Sequence, residues 1–344
     1  MRAQRRWLAG TLVLAVAGGG LGSGGALASP DDDSAAEATP AELAAVTWES
    51  MAGPPGAGRV KQLVQTTRPS HVLYATTDAG VYRSTDGGDG WDAVHELADR
   101  PVLAVAPSEA GLISCGDGVH LLADDGLRRL LEGACESVAV RGDSIVMADG
   151  GAAADEVRVL HLDGDGAWRD VSPGPTDLAG LPSPPPGLPT GIATGPLLPV
   201  GGDILAGFRR WVEGSGEFDH GGLFRWDAGA ARWSEVDLPQ PDQTALTRLF
   251  ADPADADRII ATFRRTIVHE QKDRVGRLAF ESLDGGRTWA SLTNADIDCN
   301  GISDVVRVGR ARYLLAPWDG FMLHLEGKRW TSLPMPTIEG IPGA

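Results

Sequence analysis

The sequence predicts an all-β chain built as a single β-propeller of six four-stranded blades, with seven as the alternative, and an N-terminal strand closing the ring. Three observations predict it. An Asp is followed five residues later by Trp in three places, Asp86 to Trp91, Asp163 to Trp168 and Asp284 to Trp289; Asp227 to Trp233 and Glu326 to Trp330 are one residue longer and one shorter. A short alternating apolar segment precedes each copy ("GVYRS", "VRVLHL", "GLFRW", "RLAFES", "FMLHL") and another follows ("WDAV", "WRDV", "WSEV", "WASL"), which reads as strand, tight hairpin, strand. The units recur at about 40 residues, the period of a propeller blade.

Taken in order, the chain opens with Arg2, Arg5 and Arg6, the apolar run "WLAGTLVLAVAGG" and Ala26-Leu27-Ala28. That is the layout of a secretory signal peptide, residues 1–28, with cleavage after Ala28 and a secreted or extracytoplasmic destination. The apolar run is too short and Gly-rich for a membrane span, which needs about 20 residues. Residues 29–45 form an acidic leader, and residues 46–344 the propeller. The segment "VTWESM" around Trp48 is the lone strand expected to close the ring. Two further strands precede each hairpin, clearest in "VKQLVQT" with "HVLYATT" and in "ISDVVRV" with "ARYLLAP". The units end near residues 95, 133, 172, 237, 293 and 334.

The 344 residues carry 30 Lys and Arg against 47 Asp and Glu, a formal net charge of -17. Such a surface repels phosphates, which excludes a nucleic-acid partner on electrostatic grounds. No metal or other cofactor is expected. "HLDGDGAWRD" lacks the calcium-loop pattern and "HEQKD" is not a zinc-binding HExxH. A monomer is expected.

The copies at 84–91 and 282–289 resemble the Asp-box, or BNR repeat, S-x-D-x-G-x-T-W. Ser282, Asp284, Gly286, Thr288 and Trp289 fit it fully, and Ser84, Asp86, Gly88 and Trp91 fit with Gly90 in place of Thr. The resemblance implies membership of the propeller superfamily that includes sialidases, xyloglucanases and the photosystem II assembly factor. Fold membership at this level leaves chemistry open. In such a hairpin Asp accepts loop N–H groups and Gly supplies positive φ, so Asp86, Asp163 and Asp284 read as structural rather than catalytic, as does Trp168.

Topology places these hairpins on one face of the disc and the strand-two-to-three and blade-to-blade loops on the other. Three connections of that second face are long: 172–191, 209–222 and 264–276. Long loops gathered on one face are where binding groups concentrate. Arg209, Arg210, Trp211, Glu213, Asp219, His220, Arg264, Arg265 and His269 therefore form the expected binding set, suited to a glycan or a protein partner. The leading reading is a secreted, non-catalytic binding propeller. The alternative is an exo-acting, sialidase-like glycoside hydrolase with Glu217 and Glu270 as the carboxylate pair. It is weakened by the absence of an Arg-Ile-Pro motif and by the placement of Tyr74 and Tyr82 inside regular strands. The same topology sets Cys115 beside Cys135 on the loop-rich face and predicts a disulfide between neighbouring blades, leaving Cys299 over.

Overall fold

Alternation of apolar and polar residues, broken every five to eight residues by Gly and Asp, produces short antiparallel strands. The computed structural model describes residues 53, 54, 56, 58, 60–66, 72–98, 100–149, 156–164, 166–174, 176–181, 190–212, 220–239, 244–265, 278–292, 301–309, 312–317, 321–326 and 329–334. The signal peptide, the leader and the Trp48 segment lie outside them.

Six four-stranded antiparallel sheets follow one another, each made of four strands consecutive in the chain. The first holds β1 (Val60–Gln65), β2 (Leu73–Thr77), β3 (Gly80–Ser84) and β4 (Asp92–Ala93); the second β5 (Val102–Ser108), β6 (Gly111–Gly116), β7 (Gly118–Ala123) and β8 (Gly126–Glu132). The third holds β9 (Ser137–Arg141), β10 (Ser144–Asp149), β11 (Arg158–Leu162) and β12 (Trp168–Asp170); the fourth β13 (Thr190–Val200), β14 (Asp203–Val212), β15 (His220–Asp227) and β16 (Arg232–Glu235). The fifth holds β17 (Thr244–Ala251), β18 (Ile259–Arg265), β19 (Ala279–Ser282) and β20 (Ala290–Ser291); the sixth β21 (Ile302–Gly309), β22 (Arg312–Pro317), β23 (Phe321–Glu326) and β24 (Arg329–Pro334).

The expected closed ring of six blades, or seven, is corrected by how these sheets pack. A closed ring has as many blade-to-blade interfaces as blades, whereas here the first strands make five: β1 on β5, β5 on β9, β9 on β13, β13 on β17 and β17 on β21. Among the described residues no comparable packing joins β21 to β1, and each sheet is completed by its own four strands rather than by one from the N-terminus. The repeat in the sequence counts hairpins. Closure depends on sheet-on-sheet contacts between residues far apart in the chain, which no repeat encodes.

Apolar side chains fill the spaces between sheets. Phe208, Phe224 and Trp233 form the densest group, with ring centroids 5.4 Å apart for Phe208 and Phe224 and 5.3 Å for Phe208 and Trp233. Ion pairs reinforce the outer interfaces: Arg307 reaches the buried Asp252 at 3.0 Å and Arg248 reaches Asp304 at 3.1 Å, both joining the fifth sheet to the sixth. Arg141, at the end of β9, donates to the carbonyls of Pro199 and Ala256 in the next two sheets. Its guanidinium is partly desolvated there, which lowers its pKa.

Candidate functional site

The hairpin face shows what the Asp-Gly-Trp motif does. Ser84 donates to Asp86 at 2.8 Å, Asp86 accepts the Gly90 N–H at 2.9 Å, and the Trp91 indole closes the loop on the Gly88 carbonyl at 3.1 Å. The second copy repeats this with Ser282, Asp284, Thr288 and Trp289, and adds a bond from the Thr288 hydroxyl to the other Asp284 oxygen at 2.6 Å. Burial works against the Asp284 charge, but the hydroxyls of Thr288 and Ser282 and the N–H groups of Thr288 and Arg287 outweigh it and hold the carboxyl far below the ordinary range. Gly286 sits at φ 81°, and a Cβ there would lie 2.6 Å from Leu205 Cδ1. Asp284 commits both carboxylate oxygens to the loop itself and Asp86 commits one, which is a fastening role.

The degenerate copies bond differently. Asp163 accepts the N–H of its own neighbour Gly164 at 2.8 Å, and Trp168 sends its indole N–H to the Leu130 carbonyl of the preceding sheet at 3.2 Å. Trp233 likewise reaches the Val171 carbonyl of the third sheet. These tryptophans lock sheet to sheet instead of closing their own hairpin.

On the opposite face, Cys115 and Cys135 form a disulfide with Cα atoms 5.3 Å apart, beside a backbone bond from Cys135 N–H to the Gly116 carbonyl at 2.9 Å. It ties the end of β6 to the segment entering β9. Cys299 lies outside the described residues. The short turns of this face are held by ion pairs: Lys61 with Asp78 at 3.2 Å and Arg100 with Asp117 at 3.1 Å. Next to the disulfide, His120 is buried in β7, and both Arg100 and Arg129 approach its Nε2, at 3.2 and 3.4 Å. Burial and then Arg100 push its pKa down, Asp117 pulls it back in part, and Arg129 lowers it further. A neutral ring accepting from guanidinium groups follows from that arrangement. Sequence reading missed this group because its members come from four separate elements.

The expected binding set is only partly in view. Arg209 and Arg210, both half-buried, end β14, where Arg209 pairs with Ala193 and Gly221 and Arg210 with Ile192 and His220. Trp211 continues the strand opposite Gly191. Arg264, half-buried at the end of β18, lies opposite Ala245 and is bridged to Gly301, whose Cβ would come within 2.9 Å of the Arg264 Cβ. Arg265 pairs with Thr244. Glu213, Glu217, Asp219, His269 and Glu270 lie outside the described residues. In the first long connection Leu178 and Leu181 are buried with Val171, Phe208 and Trp233. What distinguishes the sector is strand length. β13 and β14 run to 11 and 10 residues, where the corresponding second strands β2, β6, β10, β18 and β22 have five to seven. At about 3.3 Å per residue the excess over the described counterparts amounts to roughly 10 Å of strand, and Arg209, Arg210 and Trp211 lie near the end of β14.

Among the described residues no three His, Cys, Asp or Glu side chains are grouped to hold a metal ion, and no helix is long and apolar enough to cross a membrane.

No family model matches the chain, and no curated protein matches it. Solved structures do. YCF48 from Cyanidioschyzon merolae aligns at a TM-score of 0.51 and 16% identity over 83% of this chain and 88% of its own. An ancestral GH74 enzyme aligns at 0.52 and 17% over 80% of this chain and 37% of its own, and the extracellular domain of a one component system from B. thetaiotaomicron at 0.49 and 12% over 75% and 32%. The chain thus spans about a third of the latter two. The chain is an all-β propeller. At these identities the likeness extends to fold alone, and it reaches proteins of quite different roles.

Proposed function

We propose that this chain is an exported Asp-box propeller whose loop-rich face binds a polar ligand, a glycan or a protein partner, without catalysing a reaction. The observation that carries the reading is the length of β13 and β14, which places Arg209, Arg210 and Trp211 near the end of a strand longer than its described counterparts. Arginine and tryptophan at such a strand end match the composition of binding hot spots. The Asp-box reading is supported by the hydrogen bonding of the two hairpins. Export is supported by the disulfide, which persists in an oxidising compartment. Glu217 and Glu270 remain the pair by which a glycosidase reading would be tested.

The experiment is capture from the secreted fraction, and on a glycan array, by the native chain and by the double variant Arg209→Ala, Arg210→Ala. Loss of the captured species in the double variant, with retention in Arg232→Ala at the far hairpin, supports the proposal. The same species returned by both variants sinks it. Hydrolysis of a chromogenic glycoside that disappears in Glu217→Gln or Glu270→Gln would replace it with the enzyme.

A further inference from the structure

A cavity of about 440 Å³ opens between the first and second sheets, on the hairpin side of the disc and away from the loop-rich face. Its walls come from β2, β3 and the segment after β4 on one side and from the β5–β6 and β7–β8 turns on the other. Among the described residues four carboxylates line it, Asp92, Glu96, Glu109 and Asp124, against one cation, Arg83.

Charge alone would describe only a solvated acidic rim. The second observation is Tyr74. It lines the same cavity with 6% of its surface exposed, and among the described residues its hydroxyl has no hydrogen-bond partner. The hydroxyl of an otherwise buried tyrosine usually takes a hydrogen-bond partner, and the cavity is where one can be supplied. Arg83 does not supply it: its guanidinium carbon lies 5.8 Å from the Tyr74 ring centroid, over the face of the ring. Burial raises the phenol pKa, Arg83 lowers it and Asp124 raises it. Tyr74 and Arg83 are opposite each other in the β2–β3 ladder, while Asp124 arrives from the next sheet. Among the described residues the cavity thus combines a tyrosine hydroxyl, an aromatic wall and a net negative rim.

We infer that this inter-sheet cavity is a binding site for an organic cation, an alkylammonium or guanidinium group that donates to the Tyr74 hydroxyl and is held by Asp124 and the neighbouring Glu96 and Glu109. The volume falls within the range of small-ligand sites, about 300–1,000 Å³, and suits a short diamine or one lysine or arginine side chain. Ammonium and guanidinium groups carry several donors and no acceptor, the complement of a cavity with one unused acceptor and four carboxylates. The site lies on the other side of the disc from the loop-rich face and stands or falls independently of the function proposed for it.

The test is titration calorimetry on the mature chain with 1,4-diaminobutane, with a capped lysine peptide, and with a capped glutamate peptide as the anionic control. One-to-one binding of at least one cation is expected, with none of the anion. Tyr74→Phe keeps the ring and removes the hydroxyl, and is expected to weaken binding about tenfold; Asp124→Asn is expected to do the same. Asp143→Asn, an equal charge change on the β9–β10 turn, is expected to leave it unchanged. Matching thermal midpoints would confirm that each variant is folded. Tighter binding of the peptide assigns the site to a protein side chain, and tighter binding of the diamine to a free amine. Binding that is absent, or that weakens equally in Asp143→Asn, or that ignores Tyr74→Phe, overturns the inference.

Discussion

Replacing both Cys115 and Cys135 by Ala tests whether the loop-rich face is fastened by its disulfide or merely decorated by it. The cysteines are 20 residues apart in sequence and clip the second sheet to the third. Closing a loop of that length removes about 11 cal/mol/K of entropy from the unfolded chain, or about 3.3 kcal/mol at 25 °C. The rest of this interface consists of β5 on β9, β6 on β9 and the apolar group around Ile113, Leu121, Val138 and Met147, all of which survive the substitution. Destabilisation by about 3 kcal/mol without loss of fold is therefore expected. Urea unfolding followed by tryptophan fluorescence, for the native chain, the native chain with reductant and the double variant, provides the assay. The reduced chain and the double variant should unfold at similar, lower concentrations. If both unfold with the oxidised protein, the covalent link contributes nothing, and the sheets are held by packing alone.

Three further outcomes follow from named contacts. Thr288→Ala removes the hydroxyl bond to Asp284 and should cost about 1 kcal/mol, the group being exposed, whereas Gly90→Thr should gain a similar bond to Asp86; thermal unfolding of both variants checks the sign. His120 has a folded pKa below its unfolded value of about 6.5, so the stability it contributes is complete above that pH and is lost as pH falls; a stability profile from pH 8 to 5 should slope downward more in the native chain than in His120→Gln. Ala231 holds φ 49° in the hairpin that is one residue too long, so Ala231→Gly should raise stability by about 0.5–1 kcal/mol in the same unfolding assay.

The sequence made local structure legible where chemistry is local. At the hairpins 84–91 and 282–289 the carboxylate accepting loop N–H groups and the positive φ of glycine could be read, because these residues interact within a few positions of one another, whereas the serine hydroxyl and indole bonds came from the structure. The Cys115–Cys135 pairing was legible for a different reason: once strands alternate in direction, the end of one second strand and the start of the next first strand must share a face. The closure of the ring was not legible. Sheet-on-sheet packing rests on contacts such as Arg307 with Asp252 and Thr247 with the Ile302 carbonyl, which join the fifth sheet to the sixth across some 50 positions of sequence, and among the described residues no comparable packing joins the sixth sheet to the first. Tyr74 illustrates the same limit. Lying inside a regular strand argued against a catalytic role, and that argument says nothing about a cavity whose far wall is supplied by Glu109 and Asp124 of another sheet.

The distribution of carboxylates links these observations. An excess of acid over base is tolerable in a fold when individual carboxylates are engaged, and many here are: Asp86 and Asp284 by loop N–H groups, Asp203 by Arg225, Asp252 by Arg307, Glu281 by Arg258. Among the described residues Asp92, Glu96, Glu109 and Asp124 instead surround a cavity with one cation, Arg83, which lies over the Tyr74 ring. An excess of negative charge around a cavity raises the local concentration of cations and repels anions. On the loop-rich face Arg209, Arg210 and Arg264 stand near strand ends, while Arg100 and Arg129 beside His120 are paired with Asp117 and Glu132. The cavity and these strand ends lie on different sheets, so variants of Tyr74 and of Arg209 should affect different ligands.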